Sequence, residues 1–231
     1  MTDTAIGEHA AFLWNLPARS GERRLAAAII AVSALAFLIV ALFAKRQLGP
    51  LPAFIPIYQS ALLINDLITA VFLLGQCQLS QSRALSLLAG GYLFTALMSA
   101  VHALTFPGLF APAGLLDAGP QTTAWLYTFW HGGFPLFVIA YASQRREERP
   151  LEQGGVLVAA VVGFVFAAVC GCTLTATWGQ HILPSIMREN HYAPAMIVVV
   201  SSVWMLNALA LYVLWRRRPH AVLDLWLIVV M

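Results

Sequence analysis

The sequence predicts an all-α integral membrane bundle, on three observations. Hydrophobic residues make up 60% of the chain and charged residues only 10%, with a mean hydropathy of +0.79, whereas a soluble domain carries about 25% charge. The apolar residues are gathered into runs close to the ~20 residues that a helix needs to cross a bilayer. Arg and Lys are confined to the short segments between those runs. The net charge of +3 and the basic pI of 9.0 therefore report membrane topology, and nucleic-acid binding drops out.

Seven runs are expected as helices, at residues 25–44, 53–74, 84–104, 122–142, 156–175, 193–215 and 221–231. In lipid each backbone amide must be satisfied within its own segment, which makes helix the only open choice. Residues 1–24 are expected as a short cytoplasmic tail. They carry Asp3, Glu8 and His9 with no basic n-region, unlike a cleavable signal peptide. The remainder, 25–231, is expected as one polytopic membrane domain.

The second run holds Asn65 and Asp66 in "QSALLINDLITAVFLL". An ionisable group at that depth costs at least about 2.5 kcal/mol, so it faces a bundle interior and finds a partner. Asp66 is either a carboxylate for an ion, proton or cofactor, or a buried acid that fixes packing through Asn207 or a hydroxyl. The third run ends near His102, in "MSAVHALTFPGLF". The fourth reads "WLYTFWHGGFPLFVIAY" and sets His131 beside Gly132, Gly133 and Pro135.

Two histidines on adjacent helices can hold a metal ion or a bis-histidine haem in a bundle core. His102 lies about one turn from its helix end and His131 roughly 13 Å into the next helix, which sets them about 10 Å apart along the membrane normal. A larger cofactor or two separate sites fit that offset, and a hydrogen-bonded core role for each is the alternative. Gly132 and Gly133 permit close approach of a helix or planar ligand. Pro135 leaves the carbonyl of residue 131 without its helical donor. A kinked notch beside a histidine reads as a pocket, with ordinary packing and interfacial aromatics (Trp125, Tyr127, Trp130) as the alternative.

The fifth run carries Cys170 and Cys172, which point to different faces; with Cys77 they read as packed thiols. The loop before the sixth run holds His181, Glu189 and His191, whose spacing matches no zinc motif. The sixth run closes on Arg216, Arg217 and Arg218. The seventh is half a span and stops on "LDLWLIVVM", so the sequence is expected to be part of a longer protein. With a cytoplasmic N-terminus, ten of the thirteen Lys and Arg residues fall on the inner side and only Lys45, Arg46 and Arg188 on the outer. A positive-inside bias of that size places the chain in a cytoplasmic membrane.

The stretch "VHALTFPGLFAPAGLLDAGPQTTAWLYTFWHGGFPLFVIAYA", with "INDLITAVFLLGQ" of the second run, resembles the fourth numbered type of the bacterial membrane-associated sensor domains. That resemblance implies about eight helices in the intact domain and a covalently attached cytoplasmic output domain, commonly a GGDEF domain that makes cyclic di-GMP. It singles out His102, Phe106, Pro107, Gly108, Trp125, Trp130, His131, Gly132 and Phe134, with Asn65 and Asp66. No GGDEF-like sequence lies within these residues, so catalysis is not expected of this segment. It further implies a working dimer.

The expected function is therefore sensory. A polar cavity among the second, third and fourth helices binds a small ligand, redox cofactor or ion. His102, His131, Asp66 and Asn65 are its ligand groups, and Phe106, Pro107, Trp125, Trp130, Gly132, Gly133 and Phe134 its walls. Three readings compete. A haem- or metal-binding membrane redox protein would use His102 and His131 as ligands. An ion-coupled transporter or channel component would use Asp66 as its coupling site. A plain anchor would use the polar groups only for packing.

Overall fold

A computed structural model describes residues 16–46, 49, 51, 53–144, 154–179, 181–188 and 191–231. The expected tail up to residue 15, Arg145, Arg146, Arg149 and Glu189 lie outside the described residues, as does the side chain of His191. Among the described residues seven helices run in order: α1 (Ser20–Leu42), α2 (Phe54–Ser80), α3 (Arg83–Thr105), α4 (Thr122–Ser143), α5 (Gly154–Thr177), α6 (Pro194–Arg216) and α7 (Val222–Val230). Each falls on a predicted run. The chief boundary differences are at the end of α2, which continues past the expected residue 74 to Ser80, and at α1, where the expected tail gives way to helix at Ser20; the Glu22 carboxylate accepts the Arg19 backbone N–H at 2.8 Å and caps the first turn.

Five helices, α1, α2, α3, α5 and α6, are long and apolar enough to cross a membrane. The sequence predicted seven spans. The α4 helix has 22 residues, and its Thr, Trp, Tyr and His side chains dilute its apolarity, while α7 has only nine.

The chain divides into two compact units. The larger covers residues 51–210, and α3 is its axis. That helix packs against α2, α4 and α5 and is buried along most of its length. Small residues allow this: a Cβ on Gly90 would lie 2.7 Å from the Val161 side chain, and one on Gly91 2.8 Å from Phe137. Phe94, Met98, Trp125, Leu126, Trp130 and Val165 form the core around it. The outward faces of α2, α5 and α6 expose residues such as Phe72, Phe164 and Trp204. In a bilayer these need no protein cover.

The α3–α4 connection is a string of turns, as its Pro and Gly content predicts. Gly114 (φ +86°) closes against the end of α3, where a Cβ would meet the Thr105 carbonyl oxygen, and the Leu115 N–H donates to the Leu104 carbonyl at 2.8 Å. Between α5 and α6 a short hairpin pairs β1 (Met187–Arg188) with β2 (His191–Tyr192). Gln121, the N-cap of α4, ties this hairpin down. Its Oε1 accepts the N–H groups of Ile186 (3.0 Å) and Met187 (2.9 Å), and its amide donates to the Met187 carbonyl at 2.5 Å. Thr122 donates to the Ala176 carbonyl at 2.8 Å, and the Trp125 indole to the Pro184 carbonyl at 3.2 Å.

The smaller unit comprises residues up to 50 and from 211 onward, with α1 packed on α7. Its two chain segments pair as an isolated bridge at Pro17 and Ala221. Asp224 is fully buried; it accepts the Ala221 N–H at 2.9 Å and lies 3.8 Å from the Arg217 guanidinium.

Candidate functional site

The seam between α2 and α3 carries polar side chains at three depths. Near one end the Gln59 amide is hydrogen-bonded to Nδ1 of His102, both side chains being buried. Midway, the Asp66 carboxyl faces the Thr95 hydroxyl, with Tyr92 in its field. At the other end the Cys77 thiol donates to the Ser82 carbonyl at 3.4 Å. The α3 side of the seam is a column of buried Thr95, Ser99 and His102, each about one turn from the next. Thr95 and Ser99 donate to carbonyls of their own helix, which satisfies them without water.

Gln59 was missing from the sequence-derived candidates. Its signal was available: a lone amide in an apolar run, seven residues before Asp66 and hence on the same helical face. Its Oε1 is buried and has no hydrogen-bond partner among the described residues. Asn65, by contrast, points outward and is exposed, one helical step away from Asp66. The expected Asn65–Asp66 pair is therefore not a shared site.

His131 on α4 is fixed by its own helix. A carbonyl can only accept, so the 2.8 Å contact of its Nδ1 with the Tyr127 carbonyl places the proton on Nδ1 and leaves a lone pair on Nε2. Its ring stacks on Tyr127 (3.9 Å between centroids) and touches Trp130 at 4.8 Å. His102 reaches the same two rings, Trp130 at 6.1 Å and Tyr127 at 6.3 Å, and meets Phe106 at 5.9 Å. The two histidines thus share an aromatic cluster without a direct hydrogen bond. Among the described residues no three His, Cys, Asp or Glu side chains form a metal-ion set.

Pro135 behaves as its sequence position requires. Lacking an N–H, it leaves the His131 carbonyl free, and Asn207 of α6 turns its Nδ2 toward that oxygen at 3.5 Å while donating to the Val203 carbonyl at 2.9 Å. Asn207 therefore serves the α4 backbone one turn before Pro135 and does not pair with Asp66.

Beside Pro135, α3, α4, α5 and α6 line an open cavity of about 770 Å³. Trp125, Gly132 and Gly133 line it, together with Phe94, Phe129 and Phe137. The other expected wall residues lie off this cavity. Phe106 and Trp130 surround His102, Phe134 packs edge-on against Tyr92 at 5.3 Å, and Pro107 is exposed in the turn after α3.

The cavity also departs from the polar pocket expected among the second, third and fourth helices. It is lined by α3, α4, α5 and α6 with no residue of α2, and its walls are almost wholly apolar. Its hydroxyls, Thr128 and Ser202, donate to the Ala124 and Val198 carbonyls. Cys172 lines it while Cys170 is exposed, the divergence their spacing predicts. Away from this region, the exposed His181 contacts the Trp178 carbonyl at 3.2 Å.

Compared with known proteins, residues 50–231 match the family model MASE4, described as a membrane-associated sensor, integral membrane domain. No curated protein and no solved structure matches the chain.

Proposed function

Because this chain belongs to the MASE4 family of membrane-associated sensor domains, we propose that its bundle is the input module of a bacterial signalling protein and that it senses a lipid-soluble molecule. The observation that carries this reading is the apolar cavity of about 770 Å³ between α3 and α6, walled by Trp125, Gly132 and Gly133 of the fourth helix. A site with that lining favours an apolar ligand that partitions from the bilayer, and its aromatic walls suit a flat ring.

Occupancy acts on the neighbouring kink. Ligand seated between α4 and α6 alters the approach of Asn207 to the His131 carbonyl and so shifts the balance between two packings of the bundle. A coupling of about 1–3 kcal/mol, roughly 5- to 150-fold in equilibrium, is sufficient for a sensor. The output is a covalently attached cytoplasmic domain, a GGDEF domain making cyclic di-GMP being the expectation, in a homodimer in the bacterial cytoplasmic membrane with the N-terminus inside. The charge bias supports that orientation. In this reading α4 and α7 are also membrane segments, seven in all. Family membership favours sensing over ion-coupled transport.

The cavity reading is tested with a diazirine-bearing apolar photoprobe and mass-spectrometric mapping. Labelling is expected to concentrate on the α4 segment around Trp125 to Gly133 and to drop several-fold in Gly132→Leu, which extends a side chain toward the cavity. Labelling spread evenly over the lipid-facing helices, and unchanged by Gly132→Leu, overturns it.

A second reading is favoured by one specific observation. Both histidines have Nδ1 engaged, His131 by the Tyr127 carbonyl and His102 by the Gln59 amide, and a second contact of this kind orients metal-ligating imidazoles. With the Gln59 amide turned so that Oε1 accepts from His102, both Nε2 atoms are free to ligate a metal ion or haem b. Neither histidine lines the apolar cavity, so this site is separate. Stoichiometric metal or a Soret band that disappears in His102→Ala or His131→Ala supports it; a colourless, metal-free protein rejects it.

A further inference from the structure

The smaller unit joins two basic segments. The Ala18 N–H donates to the His220 carbonyl at 3.1 Å, the Val222 N–H donates to the Leu16 carbonyl at 3.1 Å, and Pro17 bridges Ala221 between them. Arg19 follows Ala18 directly, and Arg23 and Arg24 lie about one helical turn further along α1. From the other side α6 closes on Arg216, with Arg217 and Arg218 two residues short of His220. The pairing therefore gathers arginines from two distant parts of the sequence at one end of this unit.

Among the described residues, acidic neighbours do little to cancel them. The Glu22 carboxylate accepts the backbone N–H of Arg19, and Asp224 is buried with the Ala221 N–H and Arg217 as its partners. Arg19, Arg23, Arg24, Arg216 and Arg218 are exposed.

Two ring contacts set the depth of these cations. The Arg218 guanidinium lies 4.4 Å from the centre of the Trp215 ring and that of Arg216 5.9 Å from Tyr212. Both rings are exposed near the end of a helix apolar enough to span. Trp and Tyr at such positions sit at the level of the headgroups, which puts the guanidinium groups beside them in the phosphate layer. There the planar fork of arginine matches two phosphate oxygens at once, and clusters of four or more such cations recruit anionic lipid.

We propose that Arg19, Arg23, Arg24, Arg216 and Arg218 form a binding site for anionic phospholipid headgroups. The site binds the phosphate and negative charge of lipids such as phosphatidylglycerol in preference to zwitterionic lipid, and it spans both chain segments that the bridge unites. Bound lipid then holds the start of α1 and the end of α6 to one membrane surface.

The test uses the whole chain purified in detergent, offered phosphatidylglycerol or phosphatidylcholine, with retained lipid counted by native mass spectrometry. Phosphatidylglycerol is expected to bind in preference, with affinity falling roughly fivefold for each arginine neutralised in Arg23→Gln/Arg24→Gln and Arg216→Gln/Arg218→Gln. Arg188→Gln, outside the patch, leaves it unchanged. The wild-type preference should also weaken with added salt, a readout independent of any variant. Equal retention of the two lipids, insensitivity of the preference to salt, or full retention by folded variants overturns the proposal. Displacement by millimolar inorganic phosphate does so too, by showing a site for a soluble anion.

Discussion

Single residues decide how closely α3 and α4 approach. A Cβ on Gly133 would lie 2.3 Å from the Phe94 ring, which is 3% exposed with Phe137 beside it, so the ring must shift to admit a methyl group. A Cβ on Gly132 would meet only a Val203 methyl at 3.7 Å, an ordinary contact. Gly133→Ala is therefore expected to destabilise the bundle by about 1–3 kcal/mol through overpacking, while Gly132→Ala stays close to wild type in thermal unfolding in detergent. Equal effects would remove the helix-packing role of Gly133. The buried Gln59–His102 pair gives a second contrast. Gln59→Leu or His102→Phe alone strands a buried polar partner and costs about 1–3 kcal/mol, whereas the double variant removes both groups and recovers most of that loss. A double variant as unstable as the sum of the singles would refute this pairing. The sequence made the glycines conspicuous but not their different duties, because the difference lies in Phe94, 39 residues away on another helix. Gln59 was readable from its spacing to Asp66; its partner was not.

Helix extents were the most legible feature, since lipid forces each apolar run of sufficient length into one hydrogen-bonded segment. Helix faces were far less so. A spanning helix is apolar all round, so which side meets protein is set by small residues and isolated polar groups. The α3–α6 cavity was hidden for that reason: its walls are Phe, Leu, Val and Ala of ordinary membrane composition. The break in the α4 hydrogen-bond ladder at Pro135 was half readable. Pro135 announced an orphan carbonyl at His131, but Asn207, 76 residues on, emerged only as its donor in the structure. This contact supports a double-mutant cycle. Asn207→Ala removes the donor and should cost about 0.5–1.5 kcal/mol when Pro135 is present. In a Pro135→Ala background residue 135 regains its N–H, the His131 carbonyl is served within α4, and the same Asn207→Ala change should cost measurably less. Strict additivity would show that Asn207 acts only through its own helix, at Val203.

At the scale of the whole molecule, the number of crossings can be argued from parity. The five helices that qualify by length and apolarity are α1, α2, α3, α5 and α6, and all lie between Pro17 and Ala221. If only those five crossed, Pro17 and Ala221 would sit on opposite sides of the membrane. They are bridged to each other, so an even number of crossings is expected, with the 22-residue α4 as the predicted sixth. The larger unit gives the same answer independently. Thr122 at the start of α4 donates to the Ala176 carbonyl at the end of α5, so an even number of crossings also separates those two positions. If α5 crosses, α4 is therefore expected to cross as well. Its Trp, Tyr, Thr and His side chains lower its apolarity without adding a charge, and several of them face the protein core, not lipid. Single cysteines placed in a background lacking Cys77, Cys170 and Cys172 check this. With the N-terminus inside, a membrane-impermeant maleimide applied to intact cells should label Leu116→Cys and Ile182→Cys. Ser20→Cys and Ser143→Cys should react only after lysis. Labelling of Leu116→Cys and Ser143→Cys from the same side would mean that α4 does not cross, and would leave the bridge at Pro17 incompatible with five spans.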